Sequence, residues 1–286
     1  MCIRDRGSTA LVLGLTSAGK GASNPVFIVA MLVGIASLGA FFITQKHTEN
    51  GVLPLSLFTR RDRVFTFIAI FLLGAIMTTV AVFVALYVQT ILKYTTLRAG
   101  LAFIPFAFAL ALGAATASKI SMKWAPRWII LAGCIFMVIG FGWGTAISEE
   151  STFWADIFPP TLIIGYGVGL VSIALTLSAV AGVKPIDVGP LTAISLVAQT
   201  LGGPIGLAFA GALAQSYTRH HGGADIPVTE MNSVQLHALG EGYLLTLFVC
   251  LGLAVVMGIL SALFIRFTVP DVVEGQKANE AANDLP

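Results

Sequence analysis

The sequence predicts an all-α integral membrane protein, and three observations lead there. Of its 286 residues, 57% are hydrophobic and only 10% are charged. A soluble domain carries about 25% charge, whereas a lipid-facing surface needs none. Apolar runs recur at a length that crosses a bilayer as helix, roughly 20 residues each. Basic residues gather in alternate loops, the bias that sets the sidedness of membrane helices.

The elements follow in chain order. Residues 1–8 begin "MCIRDR", which suits neither the apolar core of a signal peptide nor a helix start. They read as a non-native or disordered start. Residues 9–18, "TALVLGLTSA", are apolar but too short to cross, and read as the remnant of a span whose beginning is missing. The chain is therefore expected to begin mid-protein. Residues 26–44 form a linker span, and 45–63 a cytoplasmic link. Six further spans fall at 64–92, 99–118, 128–147, 157–181, 188–215 and 243–265. The polar tail 266–286 reads as disordered and cytoplasmic.

Loop charge gives the orientation. Lys46, Arg60, Arg61, Arg63, Lys119, Lys123, Arg127, Lys184, Arg266 and Lys277 lie on one side; Lys20, Lys93, Arg98 and Arg219 lie on the other. The richer side is expected to be cytoplasmic, with the C-terminus inside. Trp124, Trp128, Trp143 and Trp154 lie at or near span ends, as an aromatic belt would place them.

Several function classes are disfavoured. Gly14, Gly19 and Lys20 have the spacing of a phosphate-binding loop. A membrane span precedes them, however, and Gly21 stands where that loop needs Ser or Thr for magnesium. The stretch reads as an outer turn, and no nucleotide is expected. Cys2, Cys134 and Cys250 have no paired spacing, so they give neither a disulfide framework nor a metal site. The formal net charge of +2 argues against nucleic acid. His47, His220, His221 and His237 read as loop residues, and no catalytic constellation sits at membrane depth. Neither enzyme activity nor a cofactor or metal is expected.

Glycine carries most of the signal within the spans. Gly140 and Gly144 form a small-xxx-small pair. Gly165, Gly167 and Gly169 form "GYGVG", and Gly202, Gly203 and Gly206 lie along "LGGPIG". Residues without bulk let helix backbones approach closely. Pro105 and Pro204 interrupt the amide ladder of their spans, so bends are expected there. This concentration in 157–181 and 188–215 favours a moving pair of helices. Large polar groups are scarce at depth, with Gln89 and Gln199 the main ones, and Glu241 stands at the outer start of the last span.

Four patches carry a family resemblance. "ENGVLPLSLFTRRDRVF" supplies Glu49, Pro54, Leu55, Leu57, Phe58, Arg60 and Arg63. "LYVQTILKYTTLRAGLAFIP" supplies Leu86, Tyr87, Gln89, Ala99, Gly100 and Pro105. "GYGVGL" and "VGPLTAISLVAQTLGGPIGLAFAG" follow, the last with Gly189, Gln199, Gly202, Gly203, Gly206 and Ala208. In order and spacing these resemble the C-terminal part of a major facilitator superfamily (MFS) transporter of the fourteen-span drug:proton antiporter family.

The resemblance implies that 64–265 is a C-terminal six-helix half, preceded by one linker span and part of another. It implies alternating access in a cell membrane, with lipid, a small organic substrate and protons as partners. Proton-coupling acids would lie in the other half. Gln89, Thr90, Tyr166, Thr192 and Gln199 become candidate wall residues of the substrate cavity. Loop 119–127 resembles a degraded basic loop motif, with Lys119, Lys123 and Arg127 present and the acidic member missing. An anchor at the membrane surface and a conformational latch both remain open for it. A same-fold carrier of a metabolite or siderophore, or a non-transporting scaffold, are the competing readings.

Overall fold

The computed structural model describes residues 60–90, 93–145, 157–221 and 232–283. The expected span 26–44, the remnant 9–18 and the turn around Lys20 lie outside them. The described residues form eight helices: α1 (Arg61–Thr90), α2 (Thr96–Ala102), α3 (Ile104–Ile120), α4 (Pro126–Gly144), α5 (Phe158–Ala179), α6 (Pro185–His220), α7 (Ser233–Phe264) and α8 (Val269–Asn283). There is no strand among them. Six helical stretches are long and apolar enough to cross a membrane, with α2 and α3 together making one of them. The all-α, six-span bundle expected for the second part of the chain is present.

The helix ends explain themselves locally. Thr95 caps α2, accepting the Arg98 amide at 3.4 Å. The interruption expected near Pro105 falls at Phe103, and Pro105 takes the first turn of α3. Its missing N–H is an orphan there in any case. Pro126, Pro159 and Pro185 likewise open α4, α5 and α6. The α5–α6 turn closes on Gly182, whose φ of +62° lies in the left-handed region that glycine adopts without strain.

Two helices outrun the apolar segments read from sequence. α6 has 36 residues, about 54 Å at 1.5 Å per residue, against a hydrocarbon core of about 30 Å. α7 starts at Ser233, ten residues before its apolar run. A reciprocal cap makes that start possible: Gln235 N–H donates to Asn232 Oδ1 at 2.9 Å, and Asn232 N–H donates to Gln235 Oε1 at 3.0 Å. Hydropathy reads the part in lipid, while the hydrogen-bond ladder continues into water. His220 and His237 consequently stand in helices rather than in loops.

Packing divides the bundle. α5 is wedged between α3 and α4, whereas α6 lies along α1 and also touches α7. α5 and α6 themselves hardly meet, so the two glycine-rich spans do not form one packed pair. The core joins Leu73 and Ile76 of α1, Met137 and Phe141 of α4, Val171 and Leu175 of α5, and Met257 of α7.

Hydroxyls along the helices and near their ends bond back to their own turns. Thr90 Oγ1 donates to Leu86 O at 2.6 Å, Ser178 Oγ to Ala174 O at 2.7 Å, and Thr192 Oγ1 to Val188 O at 2.9 Å. In lipid such a donor has no water to turn to.

The tail differs from expectation. Residues 269–283 form α8, and Phe267 and Val272 before and within it are 2% and 1% exposed. The start of α8 supplies the reason. Thr268 N–H donates to Asp271 Oδ2 at 2.8 Å, and Thr268 Oγ1 donates to the same oxygen at 2.7 Å. This is the acidic arm of a capping box. Phe267 and Val272 occupy the two positions of a hydrophobic staple.

Candidate functional site

Glycine positions the helices that carry the candidate wall. Gly165 and Gly169 share one face of α5, four residues apart, and both meet α3. A Cβ on Gly165 would come within 2.7 Å of Phe106 O, and one on Gly169 would strike the Leu110 carbonyl. Gly167 faces the other way, where its Cβ would lie 2.6 Å from Gly133 O of α4. "GYGVG" is therefore a helix thinned on two sides so that two neighbours can close on it. On α6, an added Cβ would meet the Phe71 carbonyl at Gly202, would lie 2.5 Å from Thr78 Oγ1 at Gly203, and would meet Ala75 at Gly206. Gly74 answers from α1 against the Gln199 carbonyl. Pro204 lies within this seam, and α6 remains one helix through it.

Gly140 and Gly144 separate. A Cβ on Gly140 would meet Ile164 and Pro160 of α5, whereas one on Gly144 would meet Leu247 of α7 at 3.3 Å. The spacing predicts one interface, and the structure gives two. α4 is gripped between α5 and α7, and a four-residue step is enough to move from one neighbour to the other.

The five wall candidates do not converge. Gln89 is exposed at the end of α1 and Thr90 is half-buried beside it. Tyr166 sets its ring edge-on to Phe136 of α4, with centroids 5.1 Å apart. Thr192 is exposed on α6. Gln199 is half-buried, its Nε2 4.0 Å from Met77 Sδ. Gln199, Thr192 and the Gln89–Thr90 pair thus stand at three levels of the α1–α6 pair, and Tyr166 belongs to the other packing group.

A small apolar cleft opens among α1, α4, α5 and α7. It is lined by Phe83 and Tyr87, Gly144, Thr161, and Tyr243 and Leu247, among others. None of the five candidates lines it. Thr90 stands at its edge, beside Tyr243. Tyr87 was visible in "LYVQT", but nothing in sequence brings Tyr243 or Thr161 to it across the fold.

The basic residues split by role. Arg61, Lys119 and Lys123 are exposed, and Arg127 lies over the Trp128 ring at 5.1 Å. Arg63 is 2% exposed. It belongs to the first turns of α1 rather than to a loop, and its Nη2 donates to Ala181 O in the α5–α6 turn at 3.0 Å. Arg60 lies over the Phe267 ring at 5.5 Å. Counting charges treated all three arginines alike; only burial distinguishes them.

At the opposite end, Tyr217 Oη donates to Glu241 Oε2 at 3.2 Å, and His237 Nδ1 lies 3.8 Å from Oε1. His221 stacks on Tyr217 with centroids 4.0 Å apart. Glu241 thereby ties the projecting ends of α6 and α7.

No protein-family model matches the chain. It is 38% identical over 263 residues to the uncharacterized MFS-type transporter EfpA of Mycobacterium tuberculosis, a match covering 92% of the chain and 49% of that protein. It is 28% identical over 205 residues to the cephamycin export protein CmcT of Amycolatopsis lactamdurans, covering 71% of the chain and 42% of that protein. The chain thus spans about half the length of the first relative and less of the second.

The fold superposes with a TM-score of 0.60, at 15% identity, on a crystal structure of a bacterial homolog of the human lysosomal transporter Spinster in an inward-facing, occupied conformation. That likeness covers 93% of this chain and 66% of the other. The chain is a multi-pass membrane protein with the fold of an MFS transporter. It is related to multidrug and efflux transporters of that superfamily, which are not enzymes.

Proposed function

We propose that the chain is one six-helix half of a proton-driven exporter of small organic compounds that works by alternating access. Likeness to export-type relatives along most of the chain carries this reading. The fold supports it: each helix group closes through a backbone seam of its own, at Gly165–Gly169 between α5 and α3 and at Gly202–Gly206 between α6 and α1. Gln89, Thr90, Thr192 and Gln199 contribute to the substrate path at successive levels of the α1–α6 pair, and Tyr166 contributes from the other helix group. The seam glycines, with Pro105 and Pro204, allow the helices to shift. Acids among the described spans stand just outside the apolar runs, as Asp62, Asp187 and Glu241 do, so the coupling proton is taken up by the other half. The end bearing Arg60, Arg63 and α8 faces the cytoplasm.

Proteoliposomes test this. The full-length protein containing this chain is expected to move a cationic dye against its gradient when a pH step is applied, and this chain alone is expected not to. Transport by the chain alone would sink the half-transporter reading. A full-length protein indifferent to the pH step would sink proton coupling.

A further inference from the structure

α8 follows α7 in sequence but packs elsewhere, on α5 and α6 at their junction. Four contacts hold it there. The Gly182 amide donates to Asp271 O at 3.0 Å. Gly275 lies so close to the Val180 carbonyl that a Cβ would collide with backbone. Phe267 and Val272 enter the same apolar core as α1 and α5. Arg60, just before α1, covers Phe267 and comes within 3.5 Å of where a Cβ on Gly182 would stand. Arg63 grips the same turn from α1 through Ala181 O. The opposite face of the segment, Arg266, Pro270, Glu274 and Lys277, is exposed.

From this geometry we infer that α8 is a clamp built into the end of the fold. It fixes the α5–α6 turn against the start of α1, and these ends separate only when α8 undocks. The physical reason lies in how the turn is held. Val180–Lys184 links two helices that hardly touch; Val180, Ala181 and Val183 enter the core, while the polar backbone of the turn is held by α8 at Gly182 and by Arg63 at Ala181. Removing α8 exposes the Gly182 amide and the Val180 face to water, and the turn then opens locally without unfolding the bundle. The inference stands apart from the transport reading, because the clamp is a property of this chain in lipid.

Hydrogen–deuterium exchange of the whole chain in lipid nanodiscs tests it. One variant, Gly275→Leu, drives a side chain into the Val180 carbonyl. A second ends the chain after Phe267. In both, amides of 178–190 are expected to exchange about tenfold faster than in the parent, while 164–172, in the middle of α5, is unchanged. Unchanged exchange at 178–190 in the truncated chain overturns the clamp. If truncation accelerates exchange everywhere, Gly275→Leu decides: fast exchange confined to 269–283, with 178–190 still protected, overturns it equally.

Discussion

Gly113 of α3 and Gly169 of α5 meet with no side chain between them. A Cβ on Gly169 would stand 3.0 Å from the Gly113 Cα, and one on Gly113 would stand 3.2 Å from the Gly169 Cα. Each would also strike a carbonyl of the partner helix, Tyr166 in one case and Leu110 in the other. Gly169→Ala is therefore expected to destabilise the bundle by about 1–3 kcal/mol, the usual cost of overpacking. Gly100, with open space around it, should accept alanine within about 0.5 kcal/mol. Denaturant titration in detergent, followed by tryptophan fluorescence, separates the two. Equal midpoints would contradict the close contact.

The α1–α6 seam offers a sharper comparison. Gly203 faces a side chain, Thr78, whereas its neighbour Gly202 faces the backbone carbonyl of Phe71. The loss from Gly203→Ala should be largely recovered by Thr78→Ala, because the second change removes the colliding hydroxyl. No trimming of Phe71 should rescue Gly202→Ala. A double-mutant cycle on thermal unfolding checks both, with a coupling of about 1 kcal/mol or more expected only for the Gly203–Thr78 pair.

Arg63 and Arg61 stand two residues apart with opposite surroundings. Arg63→Ala leaves the Ala181 carbonyl without its charged donor and opens a buried space, so a loss of about 2–3 kcal/mol is expected. Arg61→Ala should fall within about 0.5 kcal/mol. Thermal unfolding of the two variants side by side would refute the buried role if they coincide.

The start of α8 predicts a pH dependence. Hydrogen bonds from Thr268 hold the Asp271 carboxyl below its ordinary range, assisted by Arg60 and opposed by burial. A carboxylate lowered on folding stabilises the docked state above its unfolded value of about 3.9, and that contribution disappears as pH falls through the lowered value. Docking of α8 should thus be flat from pH 7 to about 5 and weaken only below about 4. Anisotropy of a fluorophore on Lys277→Cys, with the other cysteines replaced, should show that profile. In Asp271→Asn the acid-induced loss should disappear. A transition near pH 6 in the parent would mean that another group controls the docking.

The spans were legible because lipid imposes a length and a polarity that composition cannot hide. α8 was missed although its signal was present: "TVPD" at 268–271 is a cap residue, a proline in the first turn and an acid three residues on. Polar composition outweighed that signal, since only tertiary contact shows that Phe267 and Val272 are covered. Arg63 was missed for the converse reason, because loop-charge counting assumes that every arginine faces water. The wall candidates were chosen by polarity alone. Without knowing which neighbour each helix face meets, sequence cannot tell that Tyr166 turns to Phe136 or that Gln199 turns to Met77. The seam glycines lie at close approaches between helices, but which neighbour each one meets depends on topology, which is why Gly140 and Gly144 parted company.

The seam between α1 and α6 has a mechanical consequence. Interlocked side chains act like cogs, and one helix slides past another only if rotamers are re-sorted at every step. Where Gly202 and Gly206 lie on bare backbone and the methyl of Ala75, the surface has little corrugation. Thr78, seated at Gly203, is one detent on this track, and Gln199 beside Met77 is another. A line of this kind slides more readily than an interlocked one, and those two side chains set where the slide comes to rest.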